Sequence, residues 1–365
     1  MGSHKYILAV KTGEAELRAL ENTPLGMQVL PIVEITRGRR TKKDPNGSIW
    51  RRLDRLKEIL IRHDVCIDLT SDESLSNGDI ESLFSSKNGF ENWLNFLNKV
   101  KSLFNRIIPA IIIDRNAPAL EENLGKQIKA LWETYDSILY RHDIDDPDYL
   151  SDVETIFKCK NGQNNKRLIF VFDCAYLGIA SWRSYANAIS QQLKEISSLC
   201  KDTTFVILST SFPNQVTDIG NDLSDEFELA EIRLYENIKN QFPTLDIVYG
   251  DYGSINPIRN DNIVMAHGWV PRIDVSTESE IFYIRKRRVK SSNNPNNVSS
   301  YTSTYSDVAR EVLSNAKFPT NLDGNWGIQQ IKNAADGYAP GANPSFWISV
   351  RMSIFIAQQM RRLKI

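Results

Sequence analysis

Carboxylates stand at or just beyond the ends of five apolar runs in this chain: Glu34, Asp68, Asp114, Asp173 and Asp251. Other polar groups accompany the series. Lys11 ends the first run with Glu14 just past it, Arg115 follows Asp114, Tyr252 follows Asp251, and Arg285 and Arg287 close the last run. Carboxylates gathered from separate strands can bind a divalent metal such as Mg2+, or pair as general acid and base with displaced pKa values. Lys11, Arg115 and Arg285 would then offset the charge of a bound anion. Taken singly, each Asp has a plainer role, since Asp is common where a loop begins and caps the following helix. The recurrence over five runs makes a shared site the expectation. Its five carboxylates would be catalytic, and Lys11, Glu14, Arg115, Tyr252, Arg285 and Arg287 would bind the ligand.

Several other chemistries have no spelling here. The four histidines are scattered with no HxH or HExxH, which argues against a histidine-based zinc hydrolase. No GxSxG elbow or GxxxxGK[ST] loop occurs. The segment Gly250-Asp251-Tyr252-Gly253-Ser254 offers backbone N–H groups to a phosphate, although a plain turn explains it as well. The run RGRRTKK at 37–43 is a basic loop that could hold nucleic-acid phosphates, or simply be solvated. His267-Gly268-Trp269 could put an imidazole at a site mouth, with packed side chains as the plainer reading; Trp326 and Trp347 read as core anchors.

The elements that must position these residues alternate. Apolar, strand-like runs cover 6–11, 29–35, 65–69, 107–114, 167–174, 203–210 and 245–250, and helical periodicity falls between them at 14–22, 49–63, 90–104, 118–140, 182–199 and 223–240. Continuous rather than alternating apolarity marks strands covered on both faces, as in parallel sheets. After Asp251 the pattern loosens. The run 280–287 is either an eighth strand or half of an antiparallel pair with 263–267, and 290–306 is a polar, low-complexity loop. Three helices, 306–315, 326–335 and 345–363, complete the chain. Repeated β-α order implies parallel strands with right-handed crossovers, and eight of them close a TIM-barrel-like (β/α)8 barrel, irregular after strand seven. An open doubly wound parallel sheet is the alternative, without a Gly-rich fingerprint to support it.

Composition sets the outer limits. The 365 residues carry 44 basic and 45 acidic side chains, so no global charge draws the chain to nucleic acid or membrane. No stretch approaches the ~18 apolar residues of a membrane span. Cys66, Cys159, Cys174 and Cys200 form no CxxC pair, which fits a reducing cytoplasm. Residues 1–4 read as a cloning remnant and 5–365 as one barrel-like domain, with helices of 306–365 packed on it.

Lys11-x-Gly13-Glu14, Pro31-x-x-Glu34, Asp173, Gly250-Asp251-Tyr252-Gly253, Trp326-Gly327 and Trp347 together resemble the beta protein family, named for a T4-type phage protein and found in bacteria and their prophages. That resemblance implies a phage or prophage setting, defence or phage–host conflict, and no assigned reaction. It also brings a departure. Family members often carry His near the C-terminal Trp helix, where this chain has Arg351-Met352-Ser353-Ile354. The combined expectation is a carboxylate-lined pocket that binds or processes a phosphorylated or nucleotide-like ligand, whether or not as an enzyme. The alternatives are a non-enzymatic scaffold for a companion protein or nucleic acid, using 37–43 or the last helix, and a carboxylate-based glycoside hydrolase.

Overall fold

The computed structural model describes residues 4–160, 162–163, 165–258, 268–289 and 298–365. In chain order the elements are β1 (Tyr6–Lys11), α1 (Glu14–Glu21), β2 (Val29–Ile35), α2 (Trp50–Leu60), β3 (Asp64–Leu69), α3 (Gly78–Leu83), α4 (Lys87–Val100) and β4 (Arg106–Pro109). Then follow α5 (Leu120–Thr134), β5 (Ser137–Asp143), α6 (Tyr149–Lys160), β6 (Arg167–Tyr176), α7 (Trp182–Ile196), β7 (Thr203–Thr210), β8 (Ser224–Glu228) and α8 (Ala230–Gln241). The chain ends with β9 (Asp246–Asp251), β10 (Arg272–Ser276), β11 (Glu280–Arg285), α9 (Tyr301–Ser314), α10 (Trp326–Ala335) and α11 (Pro344–Arg362).

Eight parallel strands form one sheet in the order β4-β3-β2-β1-β9-β7-β6-β5. Its two ends meet at a parallel bridge between Ala110 and Leu139, reinforced by the Ile111 N–H donating to the Leu139 carbonyl at 2.8 Å. The barrel-like fold read from the sequence is therefore present, ringed by helices that bury Leu53, Leu56, Trp93, Leu97, Ile128 and Leu131 against it. All seven residues of β2 are buried, as strands covered on both faces must be.

The membership of the barrel differs from the sequence reading in one βα unit. The helix expected over 118–140 stops at Thr134, and β5 and α6 follow. No Gly or Pro separates Thr134 from Ser137, so helical periodicity runs into the strand without a break signal. The expected eighth strand, 280–287, lies outside the barrel. As β11 it pairs antiparallel with β10 and β8 in a separate three-stranded sheet. Its partner is β10, while the pairing considered with 263–267 lies outside the described residues. The expected helix 223–240 begins with that third strand, Ser224–Glu228, before α8 starts.

Helices α9, α10 and α11 cover the small sheet around a second apolar cluster that includes Ile273, Val275, Phe282, Tyr305, Val308, Ile331 and Trp347. Helix α9 starts five residues earlier than its periodicity suggests, because Ser300 accepts from the Ser303 N–H and caps it. Trp347 stacks on Tyr305 at 4.9 Å, as a core anchor should. Gly327 lets α10 approach α11 closely, since a Cβ there would stand 2.6 Å from the Val350 carbonyl oxygen. The position that resembled the family's histidine site holds Arg351, which is buried, paired to Asp274 at 2.8 Å and set over the Phe212 ring at 3.6 Å. Among the described residues no helix is long and apolar enough to cross a membrane.

Candidate functional site

Three parallel strands carry the first part of the site in a single row. Lys11 pairs in register with Glu34, and Glu34 with Asp68. Residues two apart share a face of a strand, and in-register neighbours stand side by side, so these three polar side chains project together into the C-terminal end of the barrel. Lys11 Nζ reaches Glu34 Oε1 at 2.8 Å.

The residue that gathers the rest is Arg141, on the strand the sequence reading missed. Its Nη1 donates to Glu34 Oε2 at 3.1 Å and to Asp68 Oδ2 at 2.9 Å, and its Nε donates to Asp173 Oδ2 at 2.8 Å. Nη2 donates to Tyr252 Oη at 3.0 Å, and Tyr252 Oη in turn donates to Asp173 Oδ1. One guanidinium thus ties carboxylates from β2, β3 and β6 into a charge-assisted network.

Electrostatics separate the carboxylates. Burial alone would raise Glu34, but Arg141 and Lys11 hold it below the usual carboxylate range. Burial raises Asp68, Arg141 opposes it, and the neighbouring Glu34 charge adds to the rise. Two adjacent carboxyls displaced in opposite directions are the arrangement in which one stays ionised while the other exchanges a proton. Burial weakens Arg141's hold on its proton, but Tyr252, Asp173, Glu34 and Asp68 more than reverse that. Burial and the Asp173 charge keep the Tyr252 phenol protonated.

Beside this network a cavity of about 420 Å³ opens between β3 and β6, within the size range of small-molecule sites. Its walls include Asp68, Asp173, Arg141, Asp143, Asp146 and Arg115, with Leu69, Phe84 and 111–113 supplying apolar surface. Arg115 is tied at 2.6 Å to both Asp146 and Asp152, and Tyr140 Oη donates to Asp152 at 2.7 Å.

Five predicted residues therefore meet in the barrel mouth: Lys11, Glu34, Asp68, Asp173 and Tyr252. Arg115 lines the adjacent cavity. The others lie elsewhere, each for a geometric reason. Asp114 overshoots, because β4 ends at Pro109 and the apolar run continues as loop; its carboxylate accepts the Asn116 N–H at 3.0 Å. Asp251 precedes Tyr252 and so faces the other side of its strand, where Tyr6 Oη donates to it at 2.8 Å and the Gly253 N–H at 2.8 Å. The Gly250–Ser254 segment is thus a turn whose Gly253 N–H is already used. Glu14 sits outside the ring and accepts from Arg18, Arg52 and Arg55. Arg285 and Arg287 follow β11 away from the mouth and pair with Asp222 at 3.3 and 2.6 Å.

Asp251 joins a different buried group, beneath α8. Burial pushes its carboxyl up to about 6, and Glu231, which accepts from the Ser211 N–H at 3.0 Å, up to about 7. Histidine 142 packs among Tyr149, Phe170 and Phe172, and burial lowers its pKa. His267 lies outside the described residues; Trp269 stacks on Tyr301 at 4.1 Å. Cys66 and Cys174 are buried free thiols pushed well up by burial, which makes them inert. Among the described residues no three His, Cys, Asp or Glu are disposed to hold a metal ion, since the mouth carboxylates spend their oxygens on Arg141 and Lys11.

A parallel eight-stranded α/β barrel with a polar network at the carboxyl ends of its strands defines the class: a TIM-barrel-like protein whose polar network sits at the rim where such folds carry their sites. Within it the chain belongs to the Beta protein family, whose model matches residues 6–361. It is 25% identical over 369 residues to "Protein beta" of Enterobacteria phage P4, covering 98% of this chain and 93% of that protein. The phage association expected from the resemblance stands, with P4 in place of a T4-type phage.

Proposed function

We propose that this chain is a phage- or prophage-associated protein, acting in defence or phage–host conflict, whose barrel mouth binds and processes a nucleotide-like ligand. The observation that carries the reading is the opposed displacement of Glu34 and Asp68 on one guanidinium, beside an open cavity. Asp68 is the proton donor and acceptor, Glu34 stays ionised, and Arg141 fixes both. Asp68, Asp143, Asp146 and Asp173 outnumber Arg115 and Arg141 on the cavity wall, so hydroxyl or amino groups of a sugar or base suit it better than bare phosphate. Among the described residues no cluster of ligands supports a resident Mg2+, so in this reading the ion arrives with the ligand's phosphates. The glycoside-hydrolase alternative gains no support, because Arg141 stands between the two carboxyls that a sugar would have to separate.

The test is calorimetric titration of a nucleotide and nucleoside panel into the purified protein, alongside plating of phage on cells expressing it. Asp68→Asn should lower ligand affinity at least tenfold and remove the plating phenotype while the protein still melts cooperatively. Full binding and phenotype in that variant would overturn the assignment.

A further inference from the structure

Outside the barrel mouth, on the βα loops of β1 and β2, lies a second concave site of about 590 Å³. Five arginines line it, Arg39, Arg40, Arg51, Arg52 and Arg55, against only Glu14 and Asp44. In a chain of net charge −1 this is a strong local excess of positive charge. The acids cancel only part of it. Asp44 is committed to its own loop, accepting the N–H groups of Gly47 and Ser48 at 2.9 Å each. Glu14 is shared among Arg18, Arg52 and Arg55, and Glu21 holds Arg55 as well, so Arg52 and Arg55 are paired while Arg39, Arg40 and Arg51 keep their charge uncompensated.

The loop that carries Arg39 and Arg40 is built rather than loose. The Gly38 N–H donates to the Gly47 carbonyl at 2.8 Å, and Thr41 and Asp44 exchange backbone bonds at 2.9 and 3.2 Å. Gly47 has φ +66°, and a Cβ there would meet the Gly38 carbonyl oxygen at 2.3 Å, so only glycine lets the two limbs lie together. Asn77 Nδ2 bonds the carbonyls of Asn46 and Gly47 at 3.1 and 3.0 Å, and Arg37 donates to the Ser74 carbonyl at 2.9 Å. The result is an ordered hairpin-like loop that leaves Arg39 and Arg40 exposed, and both, like Arg51, make no ion pair among the described residues. The N-terminus of α2 adds its positive dipole end at Ser48, Arg51 and Arg52.

One aromatic residue stands in the chain between two that line the cleft, Ser48 and Arg51. Trp50, the first residue of α2, is 41% exposed, with its ring braced on Phe96 at 5.6 Å. An exposed indole one residue before the unpaired Arg51, with the unpaired Arg39 and Arg40 on the same cleft, is the combination that single-stranded nucleic acid uses, phosphates on the cations and a base on the ring. We infer that this cleft binds single-stranded nucleic acid through its phosphodiester backbone, independently of the barrel-mouth ligand.

Fluorescence anisotropy of a labelled 20-nucleotide single strand with the full chain tests this, in DNA and RNA form and against the matching duplex. If Arg39, Arg40 and Arg51 contact phosphates, the slope of log affinity against log salt is about −2, so affinity falls roughly twentyfold between 50 and 200 mM salt. Replacing Arg39, Arg40 and Arg51 with Ala should reduce that to under about threefold and weaken binding at 50 mM salt by at least an order of magnitude. Trp50→Ala should cost several-fold on the single strand and leave duplex affinity alone. A control removing the same charge elsewhere, Lys99, Lys129 and Lys158 to Ala, should bind as the parent does. No binding at 50 mM salt would overturn the inference, as would equal loss in the control, or duplex preferred with Trp50→Ala silent. Each of those results leaves the barrel-mouth reading untouched, because no residue of the mouth is altered.

Discussion

Removing the positive charge of Arg141 while keeping its bulk, as Arg141→Met, is the sharpest probe of the barrel mouth. The substitution leaves Glu34, Asp68 and Asp173 facing one another with only Lys11 nearby. Arg141 is 19% exposed and the carboxylates 9 to 13%, so this counts as breaking a buried ion network. Such breaks cost about 3–5 kcal/mol, and the neighbouring cavity, which admits water, argues for the lower end. With unfolding entropy of about 2.1 cal/mol/K per residue over 365 residues, ~3 kcal/mol lowers the melting temperature by about 4 °C. The loss must depend on pH. Without Arg141, Glu34 and Asp68 have folded pKa values raised by burial with the largest opposing charge gone, so the folded state binds more protons than the unfolded one. Stability is then regained as pH falls toward 5 and lost as it rises through those pKa values. Scanning calorimetry of parent and variant at pH 5, 6, 7 and 8 in low salt reads the difference directly. A deficit that is the same at every pH would mean that packing, not charge, was removed, and would refute the electrostatic account. A deficit under about 1 °C at pH 8 would refute the claim that Arg141 organises the site at all.

Three further outcomes follow from particular contacts. Glu231→Gln removes a carboxyl raised to about 7 by burial, so the parent's stability should fall as pH rises from 6 to 8 and the variant's should fall less. Denaturant unfolding at both pH values measures this, and an unchanged slope would count against it. Tyr252→Phe deletes the hydroxyl linking Arg141 to Asp173, which should cost about 1–2 kcal/mol in urea melts; parent-like stability would show that this bridge does not hold the network together. Gly327→Ala sets a methyl 2.6 Å from the Val350 carbonyl oxygen and should destabilise by about 1–3 kcal/mol, with loss of near-ultraviolet signal from the Trp347–Tyr305 stack; parent-like stability would show that α10 can withdraw freely.

Much of this molecule was legible as a sequence. Continuous apolar runs such as YILAVK and RLIFVFDC mark strands covered on both faces, a local property of which residues avoid water, and their alternation with helices was enough for the barrel. Lys11, Glu34, Asp68, Asp173 and Tyr252 were legible as residues of the barrel mouth because each lies within two residues of the end of a run. Which charges meet was not. Asp251 and Tyr252 are neighbours, but the strand's alternation turns only Tyr252 into the barrel, and sequence does not reveal which parity faces inward. Asp114 ends its run yet misses the mouth, since the sheet releases β4 five residues earlier. Arg285 and Arg287 end a true strand that belongs to another sheet. Arg141 was the largest omission, and for an instructive reason. An arginine in the middle of SILYRHD breaks the apolar run that signals a barrel strand, and only the three carboxylates that arrive from β2, β3 and β6 make its burial tolerable. The chain's own pattern determined the strands and helices. Tertiary structure alone decided which of the polar groups at their ends would have one another as partners.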